Sequence, residues 1–133
     1  MTRQQLKLTG MIALALTGLI HLIETPECLD EQRYIGILFA LSAVGAAIAL
    51  FGIAKDRAWG WLLGLAVAAG CFAGYVLSRT VGLPSFREAS WSSFLEPPGL
   101  LSLLAEAVFI VVALRTLTAG RNLAPGRVTA LEG

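Results

Sequence analysis

His21, Glu24 and Glu106 are the side chains whose type and spacing best suit them to chemistry. His21 is the only histidine in the chain. It precedes Glu24 by three residues, an interval that puts both on one side of a helix. The same side carries Gly10, Ala13 and Thr17. Glu106 lies well inside an apolar run, on a face with Ser102, Ala105, Phe109 and Ala113. A charge in a hydrocarbon core costs at least about 2.5–3.5 kcal/mol. A carboxyl group there is protonated, paired or near water, and such residues usually face a bundle interior. Arg79 is the third candidate group, with Tyr75 and Ser78 beside it.

Three arrangements of these groups are open. Arg79 satisfies Glu106 or Glu24 in a purely structural network. Alternatively His21, Glu24, Tyr75, Ser78, Arg79 and Glu106 line an outward-opening site for a small molecule or ion, with Arg79 meeting an anionic or carbonyl group. In the third arrangement His21, Glu24 and Glu106 hold a metal, as histidine and carboxylates at helical spacing do in bundles. One histidine is few nitrogen ligands for a transition metal. It also excludes a haem held by two histidines of one chain. Beyond that the sequence designates no cofactor. The chain has no GxSxG, HExxH, P-loop or GxGxxG motif, so it offers no catalytic template.

The elements that must position these groups follow from composition. Hydrophobic residues make up 56% of the chain and charged residues 14%, too apolar for a soluble domain of 133 residues. A helix crossing a ~30 Å hydrocarbon core needs about 20 mostly apolar residues. The expected fold is an all-α integral membrane protein, an antiparallel four-transmembrane-helix bundle. Its spans run about 8–24, 34–54, 58–79 and 98–116 within a domain over residues 1–118, with a mobile cytoplasmic tail over 119–133. The first and fourth spans are short and rely on Lys7 and Arg115 reaching the interface.

Local signals mark the span ends. The N-terminal run is read as a span, not a cleaved signal, because its only A-x-A match, Ala13-Leu14-Ala15, sits inside the run. Thr25-Pro26 ends span 1, since proline disfavours helix in the residue before it. An acidic loop, Glu24 to Glu31, follows and contains Cys28. Lys55-Asp56-Arg57 makes a tight turn, and Trp59 and Trp61 mark the interface beside it. Pro97-Pro98-Gly99 opens span 4. Cys71 lies inside span 3, at a depth that argues against a disulfide with Cys28.

Small residues describe the packing. Span 2 carries Ser42, Gly45, Ala46, Ala49 and Gly52. Span 3 carries Gly60, Gly64 and Ala68 on one face and Ala66, Gly70, Ala73 and Gly74 on another. Such patterns let membrane helices approach closely, within the bundle or across a dimer.

Charge sets orientation. Arg3, Lys7, Lys55, Arg57, Arg115, Arg121 and Arg127 fall on one side, and Arg33, Arg79 and Arg87 on the other. Cytoplasmic loops carry the excess of Lys and Arg. Both termini are therefore expected in the cytoplasm, in a multi-pass protein of the cell's inner (plasma) membrane. The other side holds Glu24, Glu27, Asp30, Glu31, Glu88 and Glu96. A net charge of +1 gives no nucleic-acid signal. The expected partners are the lipid bilayer and, through the small-residue faces, a homo-oligomer or a larger membrane complex.

The stretch Ser78-Arg79-Thr80-Val81-Gly82-Leu83-Pro84, preceded by Gly74-Tyr75, resembles one found in small four-span bacterial membrane proteins of unassigned function. The layout is also similar: His21 late in span 1, an acidic loop, and Glu96-Pro97-Pro98-Gly99 before a Glu-bearing span 4. The resemblance covers the four spans and not the tail. It implies an inner-membrane location and four spans, and it carries no activity. The leading expectation is a protein that binds or moves a small molecule or ion at an outward-facing polar site. The alternative is a non-catalytic accessory subunit of a larger membrane complex, and the third is a membrane-embedded metal-dependent oxidoreductase.

Overall fold

The computed structural model describes residues 2–79 and 97–122, and among these it is a bundle of four helices. They are α1 (Arg3–Glu31), α2 (Arg33–Ala54), α3 (Ala58–Arg79) and α4 (Pro97–Asn122). All four are long and apolar enough to cross a membrane. They stand at the corners of a square in chain order, with α4 back against α1 and α2 opposite α4. Each is antiparallel to the one before it. The start of α1 meets the end of α2 where Lys7 Nζ reaches Asp56 at 2.8 Å. The end of α1 meets the start of α2 where Leu29 lies against Gly36. We call these the amino-terminal end and the Gln32 end.

Helix α1 begins with a reciprocal cap. Gln5 N donates to Thr2 Oγ1 at 3.1 Å, and Thr2 N donates to Gln5 Oε1 at 2.8 Å. Two otherwise unsatisfied amides are thereby served. The helix then runs 29 residues, well past the expected end at Thr25-Pro26. Proline removes the N–H that would bond the Leu22 carbonyl, a loss that neighbouring side chains and helices can absorb in an apolar setting. Thr25 Oγ1 donates to the His21 carbonyl at 2.6 Å. Beyond the proline, Cys28 is buried and Leu29 packs on α2. Residues 24–31 are thus helical and not a loop. Gln32 alone separates α1 from α2.

At the other end of α2, the expected tight turn takes a defined form. Arg57 N bonds the Gly52 carbonyl, and Asp56 N bonds the Ile53 carbonyl, each at 2.9 Å. This is the Schellman pattern, in which the residue after the cap sits in the left-handed region. Asp56 holds that place at φ 58°. Aspartate tolerates the conformation better than most non-glycine residues. Lys7 is not simply drawn to an interface, because it pairs with Asp56 and lies 3.4 Å from the Ala54 carbonyl.

The amino-terminal half of the bundle is closed by small residues and aromatic rings. A Cβ on Gly60 would lie 2.5 Å from Ile53 N and 2.6 Å from Gly52 C. Both are backbone atoms, so α2 and α3 touch main chain to main chain. Trp61 is buried, not interfacial as expected. Its ring stacks on Phe109 at 5.8 Å and covers Gly10. Trp59 is exposed. Gly64 accepts the edge of Phe109, and Leu14, Ala46, Ala49, Ile53 and Ala68 fill the remaining core. The Gly60-Gly64-Ala68 face therefore packs inside the bundle, whereas a Cβ on Gly70 or Gly74 would meet nothing within 4 Å. Helix α4 continues through Asn122, beyond the expected end of span 4 near residue 116. Residues 80–96, between the third and fourth helices, and residues 123–133 of the expected tail lie outside the described residues.

Candidate functional site

The buried polar side chains of the described residues are Thr17, His21, Ser102 and Glu106, and all lie on facing sides of α1 and α4. Both faces repeat every three or four residues. Gly10, Ala13, Thr17 and His21 are buried along α1, as are Ser102, Ala105, Glu106, Phe109 and Ala113 along α4, apart from Gly10's lack of a side chain. His21 lies eleven residues from Gln32 and Glu106 nine from Pro97. At 1.5 Å per residue these are depths of about 16 Å and 14 Å below the helix ends. The two side chains meet at that level, with His21 Nε2 3.8 Å from Glu106 Oε1.

Hydrogen bonds fix how each group presents itself. His21 Nδ1 lies 2.8 Å from the Thr17 carbonyl oxygen. A carbonyl only accepts, so Nδ1 carries a proton. In the neutral ring Nε2 is then a bare lone pair, and it faces Glu106. Phe39 of α2 covers the imidazole, with ring centroids 4.7 Å apart. Ser102 Oγ donates to Glu106 Oε1 at 2.8 Å and orients the carboxyl group from one turn away. Thr17 is committed elsewhere, since its hydroxyl donates to the Ala13 carbonyl. Glu106 Oε2 is buried and has no hydrogen-bond partner among the described residues. Glu106 as a whole is 2% exposed.

Helix α3 contributes Cys71. Single ligand atoms of His21, Cys71 and Glu106 all lie within 4.8 Å of one another. Phe39 of α2 stands over the same layer, its ring against His21. Neither Cys71 nor Cys28 is in a disulfide. Every helix thus supplies a side chain to the same layer.

Of the expected site residues, His21 and Glu106 come together. Glu24 is half-buried one turn beyond His21 and is not among the three converging ligand groups, where Cys71 stands instead. Tyr75 lies over the start of α4, its hydroxyl 2.6 Å from where a Cβ on Gly99 would be. The side chains of Ser78 and Arg79 lie outside the described residues. Cys71 and Phe39 were missed by sequence reasoning, although a signal existed for each. Cys71 continues the Gly60-Gly64-Ala68 face by three residues, and Phe39 precedes Ser42 by three.

The amino-terminal end holds a concavity open between α1, α3 and α4 and lined in part by Arg3, Lys7, Asp56 and Trp61. Two of its charges, Lys7 and Asp56, already pair with each other. No protein-family model, curated protein or solved structure matches the chain.

Proposed function

We propose that this is a multi-pass membrane protein that binds or moves a small cation at the His21–Glu106 layer, reached from the Gln32 end. One observation carries the reading. A bare imidazole lone pair and a carboxyl group, both acceptors when the carboxyl is ionised, face each other at 3.8 Å inside an apolar bundle. Two facing acceptors repel unless a proton or another cation stands between them. Oε2, buried without a partner, adds a further vacant acceptor to the same place. Buried polar groups are ordinarily satisfied, and one that is not calls for an occupant.

The distribution of Lys and Arg, seven against three, supports cytoplasmic termini in an inner membrane and an outward Gln32 end. On that side Glu24, Glu27 and Asp30 line the last turns of α1, a negative approach suited to a cation. The test uses Cys71 as a probe. A small membrane-impermeant thiol reagent is added to intact cells or to inverted vesicles, and the modified peptide is identified by mass spectrometry. Modification of Cys71 from the outside, and not from the inside, is expected. A folded protein whose Cys71 reacts from neither side would reduce the layer to a structural network.

A second reading is favoured by the open face of α3. Gly70 and Gly74 leave room for close approach of another helix, as in an accessory subunit or a homo-oligomer. Quantitative co-migration with a large complex on a blue-native gel supports the subunit reading. Migration as a monomer or small homo-oligomer supports an autonomous protein.

A further inference from the structure

We propose that His21 Nε2, Cys71 Sγ and the Glu106 carboxylate together hold one divalent cation of the zinc class. This deepens the cation-site reading above and rests on it. Geometry is the first support. Three atoms no more than 4.8 Å apart have a common point within about 2.8 Å of each, 4.8 Å divided by √3. Zinc bonds to nitrogen and carboxylate oxygen at about 2.0–2.2 Å and to sulfur at about 2.3 Å. Closure by roughly 0.5–0.8 Å, within the range of small side-chain rotations, brings all three into the coordination sphere.

Charge is the second support. A thiolate and a carboxylate sum to two negative charges, and His21 stays neutral with its proton on Nδ1. A divalent ion makes the assembly neutral, which an apolar interior requires. A monovalent ion is neutralised by the carboxylate alone and leaves the thiol proton in place, so thiolate ligation marks the divalent case. Ion uptake displaces the protons of the thiol and of the buried carboxyl: the S–H and O–H bonds break, the sulfur–metal and oxygen–metal bonds form with the same electron pairs, and two protons leave with solvent. Donor type is the third support. Sulfur and imidazole nitrogen select zinc-like ions over magnesium or calcium, which prefer oxygen.

The surrounding hydrogen bonds are those a metal site needs. A ligating histidine commonly donates its other nitrogen to a carbonyl, as Nδ1 does to Thr17. A ligating carboxylate is commonly held by a further hydrogen bond, as Ser102 holds Oε1. Oε2 has no hydrogen-bond partner among the described residues, so the carboxylate, on a side chain 2% exposed, keeps an uncommitted oxygen for an ion. Three protein ligands leave a fourth position of the tetrahedron open to water or to a passing ligand.

The test titrates the full chain, purified in mild detergent and stripped with a chelator, with Co2+. Cobalt takes zinc's place and shows a near-ultraviolet charge-transfer band when a thiolate binds it. One equivalent is expected to bind with that band. The band disappears in Cys71→Ser and persists in Cys28→Ser. Glu106→Gln weakens Co2+ binding at least about 10-fold, and Ser102→Ala by about 10-fold or more. Each variant is compared after eluting as the wild type does. A second measurement needs no variant: Zn2+ should slow modification of Cys71 by the thiol reagent at least about 10-fold, since coordination occupies the sulfur. Absence of the band in folded wild type, a band that follows Cys28, or no protection by Zn2+ overturns the assignment. Cys71 that is modified from outside with no metal response ends the zinc assignment and leaves the cation site standing. Cys71 that is silent to both reagent and metal ends both.

Discussion

The two halves of the bundle solve the same packing problem with different materials. In the amino-terminal half, Gly52 and Gly60 bring main chain against main chain, and Trp61, Phe109 and Leu14 fill what remains. In the other half, Thr17, His21, Cys71, Ser102 and Glu106 occupy equivalent interior positions. Apolar residues would fill that layer at lower cost, since replacing buried polar groups by apolar ones of similar size is often neutral or stabilising. The half built from small and aromatic residues is accounted for by packing. The half built from His, Cys and Glu is not, and the excess chemistry is what makes it a candidate site.

The sharpest way to break this comparison is a single methyl group. Gly60→Ala should destabilise the protein by about 1–3 kcal/mol, because the atoms in its path are backbone and cannot rotate away. Gly70→Ala, on the open face of the same helix, should stay within about 0.5 kcal/mol of wild type. Thermal unfolding in mild detergent measures both. Equal sensitivity at the two glycines would mean that α2 and α3 do not meet as described.

A smaller effect is expected at the polar layer. A double-mutant cycle with His21→Gln and Glu106→Gln should give a coupling of about 1 kcal/mol, as for side chains in one network. Additive changes would mean that the two groups do not interact across α1 and α4. The two halves would then differ in composition only.

The smallest effect belongs to the ion pair at the amino-terminal end. The hydrogen bond from Lys7, and then its charge, hold the Asp56 carboxyl below the ordinary value of 3.8. A depressed carboxyl contributes stability above the unfolded-state value, which is lost as pH falls through the folded one. Lys7→Met should therefore be slightly less stable than wild type above about pH 4, with the difference vanishing as pH falls below it. A Lys7→Met profile that superimposes on wild type would show that solvent screens the pair completely.

The two interior faces of α1 and α4 were legible in the sequence because helical spacing alone decides which side chains share a side. The turn at Lys55-Asp56-Arg57 was equally legible, since three polar residues between two apolar runs leave no other place for it. The end of α1 was not. A local rule about Pro26 lost to tertiary packing of Cys28 and Leu29 on α2. Trp61 misled for a similar reason, as its type suits an interface while Gly10 opposite makes room for it inside. Cys71 was read only as a thiol outside any disulfide and not as a site residue, because a lone thiol among glycines and alanines reads as filler. Only the position of α3 against α1 and α4 turns it into a third ligand. The Arg79 partnership with Glu106 falls on a side chain outside the described residues.

The single residue between α1 and α2 has a consequence for how the chain enters a bilayer. One extended residue spans at most about 3.6 Å. The end of α1 and the start of α2 therefore cannot rest on opposite sides of a ~30 Å hydrocarbon core while both stay helical. Neither helix can be threaded and settle before the other begins. They must insert as one hairpin, with Glu27, Asp30 and Arg33 carried across together or held back together. The orientation of the first helix thus dictates the opposite orientation of the second, a relation fixed by the joint itself and independent of any later charge.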